Sequence, residues 1–257
     1  MNEAAHEAPA ARSENRALAW AAGIMALLGT AAVLLAAHAY AHGGGGLLSR
    51  LDVNVGEVLM EQGMRLEDGG NYDAAIARYR MALNARWEGR QNRGMTLKRL
   101  GTRLWLQGRP EAALPYLDEA AGMPEGPMTA HEPRVNALIK LERWEAAREA
   151  VETWRAACPD DIPVETEAAI AFYRGRIARE LEGVEVARRF FEKGVELAPQ
   201  SRNASELAYI MFNNEAYEQA LHYLDLYLKG RATGPRADFA RELRALAQKR
   251  LRQQRGP

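Results

Sequence analysis

The side chains suited to chemistry in this chain are few. Arg176 and Arg179 lie three apart, and a helix would set both guanidinium groups on one face, where they could grip a carboxylate. His38 and His42 lie four apart, again one face of a helix, and that spacing suits a metal or haem. No third ligand follows nearby, and two ligands leave a metal site incomplete. His131 and His222 are isolated, and the lone Cys158 stands before Pro159 with no histidine beside it in sequence to activate it. A single cysteine also excludes an intrachain disulfide and any Cys-based zinc or iron–sulfur site. The signatures G-x-S-x-G, H-E-x-x-H, G-x-G-x-x-G and the P-loop are absent. Acidic pairs such as Glu67-Asp68 and Asp160-Asp161 fit helix ends and turns better than acid–base chemistry. The chemistry on offer is therefore binding rather than catalysis, with no metal and no cofactor expected.

The elements that would position these residues belong to a chain of 257 residues, enough for one or two domains. Lys+Arg and Asp+Glu each number 34, and a net charge of zero gives no general affinity for nucleic acid. Hydrophobic residues at 47% exceed what a disordered chain carries. The charge is nonetheless uneven: residues 229–257 hold nine bases against Asp238 and Glu242, while residues 43–228 sum to −6.

Residues 1–16 read as a short tail, and residues 17–41 as a transmembrane helix. No charge occurs between Arg16 and Arg50, and about 20 apolar residues suffice to span a bilayer as helix. Trp20 and Tyr40 mark the two interfaces, and Arg12 and Arg16 precede the span, which favours an N-terminus on the cytoplasmic side. In a bacterial inner membrane the body would then lie in the periplasm. The rival reading is a cleaved signal peptide, since Ala37-His38-Ala39 and Ala39-Tyr40-Ala41 are A-x-A-like; the apolar core is longer than such a peptide needs. Ala22, Gly23, Ala26, Gly29 and Ala32 form a small-residue face that would suit helix–helix contact in the membrane. Residues 42–55, with Gly43–Gly46, form a linker.

From residue 51 onward apolar residues recur at helical spacing, with no alternating β-branched run, so the body is all-α. It also repeats itself. Gly63-x-x-Leu66-x-x-x-Gly70-x-Tyr72-x-x-Ala75-x-x-x-Tyr79-x-x-Ala82 is matched by Gly101, Leu104, Gly108, Ala113, Leu117 and Ala120, and more loosely three further times. The shared alanine falls at 75, 113, 147, 187 and 220, in steps of 38, 34, 40 and 33. A period near 34 with this small–aromatic–small punctuation resembles the tetratricopeptide repeat over residues 56–234. The resemblance is strongest in NYDAAIARYRMALN, while the third and fifth repeats depart from it, at Val135 and Ala232.

That resemblance implies a right-handed superhelical solenoid of about five helix pairs, closed by a basic capping helix over 235–257 with Phe239, Leu243 and Leu246 as its apolar stripe. It also implies that the first helix of each pair lines a concave groove for other proteins or peptides. Carried onto this sequence, the groove positions include Met64, Lys98, Trp105, Asn136, Lys140, Phe172, Arg176, Arg179, Tyr209 and Phe212: an amphipathic trough with an acidic, Met-containing entrance and a basic, aromatic interior. Its residue types are those enriched at binding hot spots. The alternative is that the aromatics only pack between helices and the arginines pair with nearby glutamates. The Lys/Asn arrangement with which chaperone-binding members clamp a carboxylate is absent, Met60 and Met64 standing in its place. The expectation is a membrane-anchored, non-catalytic scaffold for complex assembly. An accessory subunit packed through its membrane helix is the alternative, and head-to-tail self-association into a homo-oligomer is open to a body and tail of opposite charge.

Overall fold

The computed structural model describes residues 55–85, 87, 90–124, 126–230 and 233–256. The tail, the candidate span 17–41 with its face of Ala22, Gly23, Ala26, Gly29 and Ala32, and His38 and His42 lie outside the described residues. No described helix is long and apolar enough to cross a membrane.

The described residues form eleven α-helices, one short 3-10 turn and no strand: α1 (Val55–Asp68), α2 (Tyr72–Leu83), α3 (Arg90–Leu106), α4 (Pro110–Gly122), α5 (His131–Lys140), α6 (Trp144–Ala157), α7 (Val164–Leu181), α8 (Val184–Leu197), α9 (Arg202–Asn213), α10 (Tyr217–Gly230) and α11 (Pro235–Arg255). They pack as five successive pairs, each against the next, with α11 laid on α10. First helices also touch one another, α1 with α3, α3 with α5 and α7 with α9.

Four of the five turns within pairs share one chemistry; in the fourth pair Gly183, at φ of 101°, itself donates back to Ala178 at 2.9 Å. Gly70 and Gly108 take the left-handed conformation, with φ of 76° and 74°. The next residue's N–H then reaches back to a carbonyl in the last turn, Asn71 to Leu66 at 2.8 Å and Arg109 to Leu104 at 2.9 Å. That closure satisfies carbonyls the helix end would otherwise strand. The third and fifth pairs close the same way, Arg143 on Leu138 and Ala216 on Met211, but hold Glu142 and Glu215 in the left-handed position, at φ of 56° and 60°.

The repeat's small and large positions interlock inside each pair. The five alanines 75, 113, 147, 187 and 220 are fully buried. Sixteen residues separate each small position from its large partner: Gly63 and Tyr79, Gly101 and Leu117, Val135 and Val151, Gly175 and Phe191, Ala208 and Leu224. A Cβ on Gly63 would stand 2.5 Å from Cε1 of Tyr79, and one on Gly101 2.5 Å from Cγ of Leu117, far inside van der Waals contact. The departure at Val135 is explained here: its partner is the smaller Val151, and both are fully buried. One continuous apolar cluster runs from Met60 through the first four pairs into Leu207 and Ile210, and a second joins α9, α10 and α11. A single pair cannot bury its own face, so each depends on its neighbours.

The last helix departs from its sequence reading. It packs through Ala237, Ala240, Leu243 and Ala247, whereas Phe239 and Leu246 remain 57% and 41% exposed. Small side chains let α11 approach α10 closely, and the bulky pair is left on the outside. Pro163 stands immediately before α7, as its N-cap residue, and Pro133 falls in the first turn of α5.

Candidate protein-binding site

The groove positions carried over from the repeat pattern fall into three groups. The first is spent on packing. Met64 and Trp105 are half-buried against the main apolar cluster. Phe212 is half-buried and packs edge-on against Tyr217, ring centroids 5.4 Å apart. Phe172 is 3% exposed and leans edge-on against Tyr173, so little of its ring is free to meet a partner.

The second group, Lys140 apart, lies in or beside ion and hydrogen-bond networks that bridge first helices. At the acidic entrance Glu67 of α1 is paired: it accepts from Tyr79 Oη at 2.5 Å, from Arg103 Nε at 2.7 Å and from Arg99 at 3.2 Å. Burial on its own would raise the Glu67 pKa, but the hydrogen bonds from Tyr79 and Arg103 and the charges of Arg103 and Arg99 outweigh it and hold the carboxyl below its ordinary value. Lys98 is half-buried beside this cluster; burial and the Arg99 charge lower its pKa, against the pull of Glu67. Further along, Asn136 donates to Tyr173 Oη at 2.6 Å, and Tyr173 donates to Glu132 at 2.8 Å. Arg202 of α9 reaches Glu132 of α5 at 2.7 Å with its guanidinium over the Phe172 ring, 4.5 Å from the centroid. Burial chiefly, with the Glu132 charge and hydrogen bond adding to it and the Arg202 charge opposing, pushes the Tyr173 hydroxyl up to about 12. Lys140, the last residue of α5, is exposed.

The third group converges. Phe172, Arg176 and Arg179 of α7 and Tyr209 of α9 line one open cavity of about 350 Å³, whose far wall is α11 with Arg236 and Phe239. Tyr209 is 45% exposed there. Arg179 is ion-paired, to Glu206 at 2.8 Å and to Glu180 at 3.5 Å. Arg176 stands over the Phe172 ring, 5.8 Å from the centroid, and has no carboxylate within ion-pair distance among the described residues. Burial lowers its pKa, the attraction of Glu206 opposes this, and the positive charges of Arg179 and Arg236 lower it further; a guanidinium so placed still stays charged near neutrality. Three arginines thus face Glu206 as the one carboxylate lining the cavity. Such a site can hold an anionic group beside apolar surface. A second, wider opening of about 780 Å³ lies between the start of α7 and the turn before α9, with Phe172 shared between the two.

Sequence reasoning missed Glu206, Arg236 and Phe239 as members of this cavity. The only signal was the apolar period of the last helix, which does not say which of its faces meets the groove. Among the described residues no group of three His, Cys, Asp or Glu side chains could hold a metal. Cys158 is buried, and burial chiefly raises its thiol pKa, away from a reactive thiolate.

No protein-family model matches the sequence, and no curated protein is similar to it. The fold is similar to several solved structures. MamA from Desulfovibrio magneticus superimposes with a TM-score of 0.55 at 15% identity, over 69% of this chain and 95% of that one. A tetratricopeptide-repeat protein from Parabacteroides merdae gives 0.57 at 20% identity, over 76% and 73%. PilF from Pseudomonas aeruginosa gives 0.56 at 16%, over 75% and 88%. With the five interlocked pairs, these likenesses identify the body of the chain as a tetratricopeptide-repeat fold.

Proposed function

We propose that the protein is a non-catalytic scaffold, anchored in a membrane by residues 17–41, that binds other proteins through the groove formed by its first helices. In a bacterial cell its body stands in the periplasm and serves the assembly of an envelope complex. The observation that carries the binding reading is the α7–α9–α11 cavity, where exposed Tyr209 and Phe239 flank Arg176 and Arg236, neither of which has an ion pair among the described residues. Large exposed aromatics beside arginine are the composition of binding hot spots rather than of inert surface. The apolar stretch 17–41 with Arg12 and Arg16 before it supports the anchor and its orientation.

Affinity capture from detergent tests this reading. The full chain is compared with Tyr209→Ala/Phe239→Ala and with a chain lacking residues 1–42. Phe172 is unsuitable for this purpose, because its burial means that truncation damages the fold itself. A partner lost with the aromatic pair supports groove binding. A partner lost only on removal of the span, or on Gly29→Leu, refutes it in favour of an accessory subunit packed through its membrane helix. A reporter active only outside the cytoplasm and fused after Pro257 is expected to be active; a stable but inactive fusion reverses the orientation.

A further inference from the structure

We infer that the α7–α9–α11 cavity takes an acidic peptide segment of the partner, one that presents an Asp or Glu side chain next to an apolar one. This rests on the groove reading and assigns the chemistry of its occupant. Charge is the first argument. Arg179 is occupied by Glu206 and Glu180, but Arg176 and Arg236 have no ion pair among the described residues. Glu206 offsets the charge of Arg176 only in part, the Arg236 charge opposes it, and an added carboxylate between the two guanidinium groups relieves that repulsion with charge-assisted hydrogen bonds. Arg236 moreover sits in the first turn of α11, where the helix dipole favours an anion and disfavours a cation.

Shape is the second argument. The exposed rings of Tyr209 on α9 and Phe239 on α11 stand on opposite walls of the same cavity as the arginines, so an apolar side chain adjacent to the acid is covered as the acid pairs. A volume of about 350 Å³ holds two or so side chains rather than a folded surface. The cavity also exists only because α11 covers the end of the fifth pair, so the terminal helix is part of the binding site as well as a cap.

The test is a selection of a random linear peptide library on phage against the full-length chain in detergent. The best peptide is then titrated against the wild type, Arg176→Gln/Arg236→Gln, Tyr209→Ala/Phe239→Ala and Glu206→Gln. All four proteins are checked for equal helicity by circular dichroism. Selected peptides are expected to carry Asp or Glu next to Phe, Leu or Met. Affinity should fall about tenfold or more in the arginine variant. It should rise severalfold in Glu206→Gln, because Arg179 is released from its internal carboxylate, and it should weaken with salt. Peptides that lack acidic residues, or that bind the arginine variant as well as the wild type while losing the aromatic variant, overturn the acidic assignment and leave the groove reading standing. Peptides indifferent to both pairs of substitutions, or no selectable peptide at all, overturn both.

Discussion

The interlock between Gly175 and Phe191 can be put to a quantitative test. A Cβ on residue 175 would stand 2.7 Å from Cδ1 and 2.8 Å from Cζ of Phe191, with Cε1 nearer still. Carbon atoms at rest lie about 3.5–4.0 Å apart, so the ring must move by roughly 1 Å in a site with no exposed surface. Overpacking of this kind costs about 1–3 kcal/mol, and replacing a mid-helix glycine by alanine returns about 1 kcal/mol. Gly175→Ala should therefore destabilise by about 0–2 kcal/mol, against the usual rule that such a change strengthens a helix. Phe191→Leu alone should cost about 1–2 kcal/mol through the space it leaves. Together they recreate the Ala208 and Leu224 combination of the fifth pair. The double variant should thus be no worse than Phe191→Leu, giving a coupling of at least about 1 kcal/mol. Guanidinium unfolding of the detergent-solubilised chain, followed by far-UV circular dichroism, measures all four forms. Additivity within about 0.5 kcal/mol, or a stabilised Gly175→Ala, would refute the small-to-large interlock as the source of the repeat pattern.

Three further outcomes are expected. Glu142→Gly should raise stability by about 1 kcal/mol, because the left-handed conformation strains any residue with a Cβ; Gly70→Ala, with nothing within 4 Å of the added atom, should lower it by a similar amount through φ alone, both read as shifts in denaturation midpoint. Glu67→Gln should cost about 1–2 kcal/mol near neutral pH through loss of charge-assisted hydrogen bonds. The native pKa of Glu67 lies below its ordinary 4.5, so its contribution is complete above that value and disappears as pH falls through the native one; the wild type and Glu67→Gln should converge in acid, and a pH-independent gap would exclude the ion network. His131 is buried and its pKa is lowered, by burial first and by Arg134 second, so the unfolded chain takes up the proton before the native one does. Replacing it by Gln should flatten the fall of thermal stability below about pH 6.5, whereas an unchanged slope would mean that His131 titrates as in the open chain.

Much of the architecture was legible before the structure. The alanines at 75, 113, 147, 187 and 220 mark the second helices, and the glycines at 63, 101 and 175 mark the first, because a helix pair packs closely only where one side has no bulk. Even the weak third repeat carried its reason in sequence, since Val135 is followed sixteen positions on by the smaller Val151, where its counterparts set glycine against Tyr79 or Phe191. The groove was legible less evenly. Arg176, Arg179, Tyr209 and Phe172 line one cavity, but Phe172 is nearly all buried. Residue type does not report that difference, because an aromatic ring satisfies a core position and a binding position equally well.

Residue order alone sets which residues face inward on most helices of the five pairs and that no single pair is stable alone, but it misplaces the buried stripe of α11. Those are consequences of local periodicity and side-chain volume, which a chain carries in its order of residues. Only the tertiary structure decided which charges remain without partners. Glu67 meets Arg99 and Arg103 from 32 and 36 residues away, and Glu132 meets Arg202 across 70, so these two carboxylates are paired, whereas Arg176 and Arg236 have no ion pair among the described residues. Only the docking of α11 through its alanines brought Arg236 and Phe239 opposite Arg176 and Tyr209. Ion pairing depends on distance in space, and a solenoid sets that distance by stacking successive pairs, a quantity no local window of sequence contains.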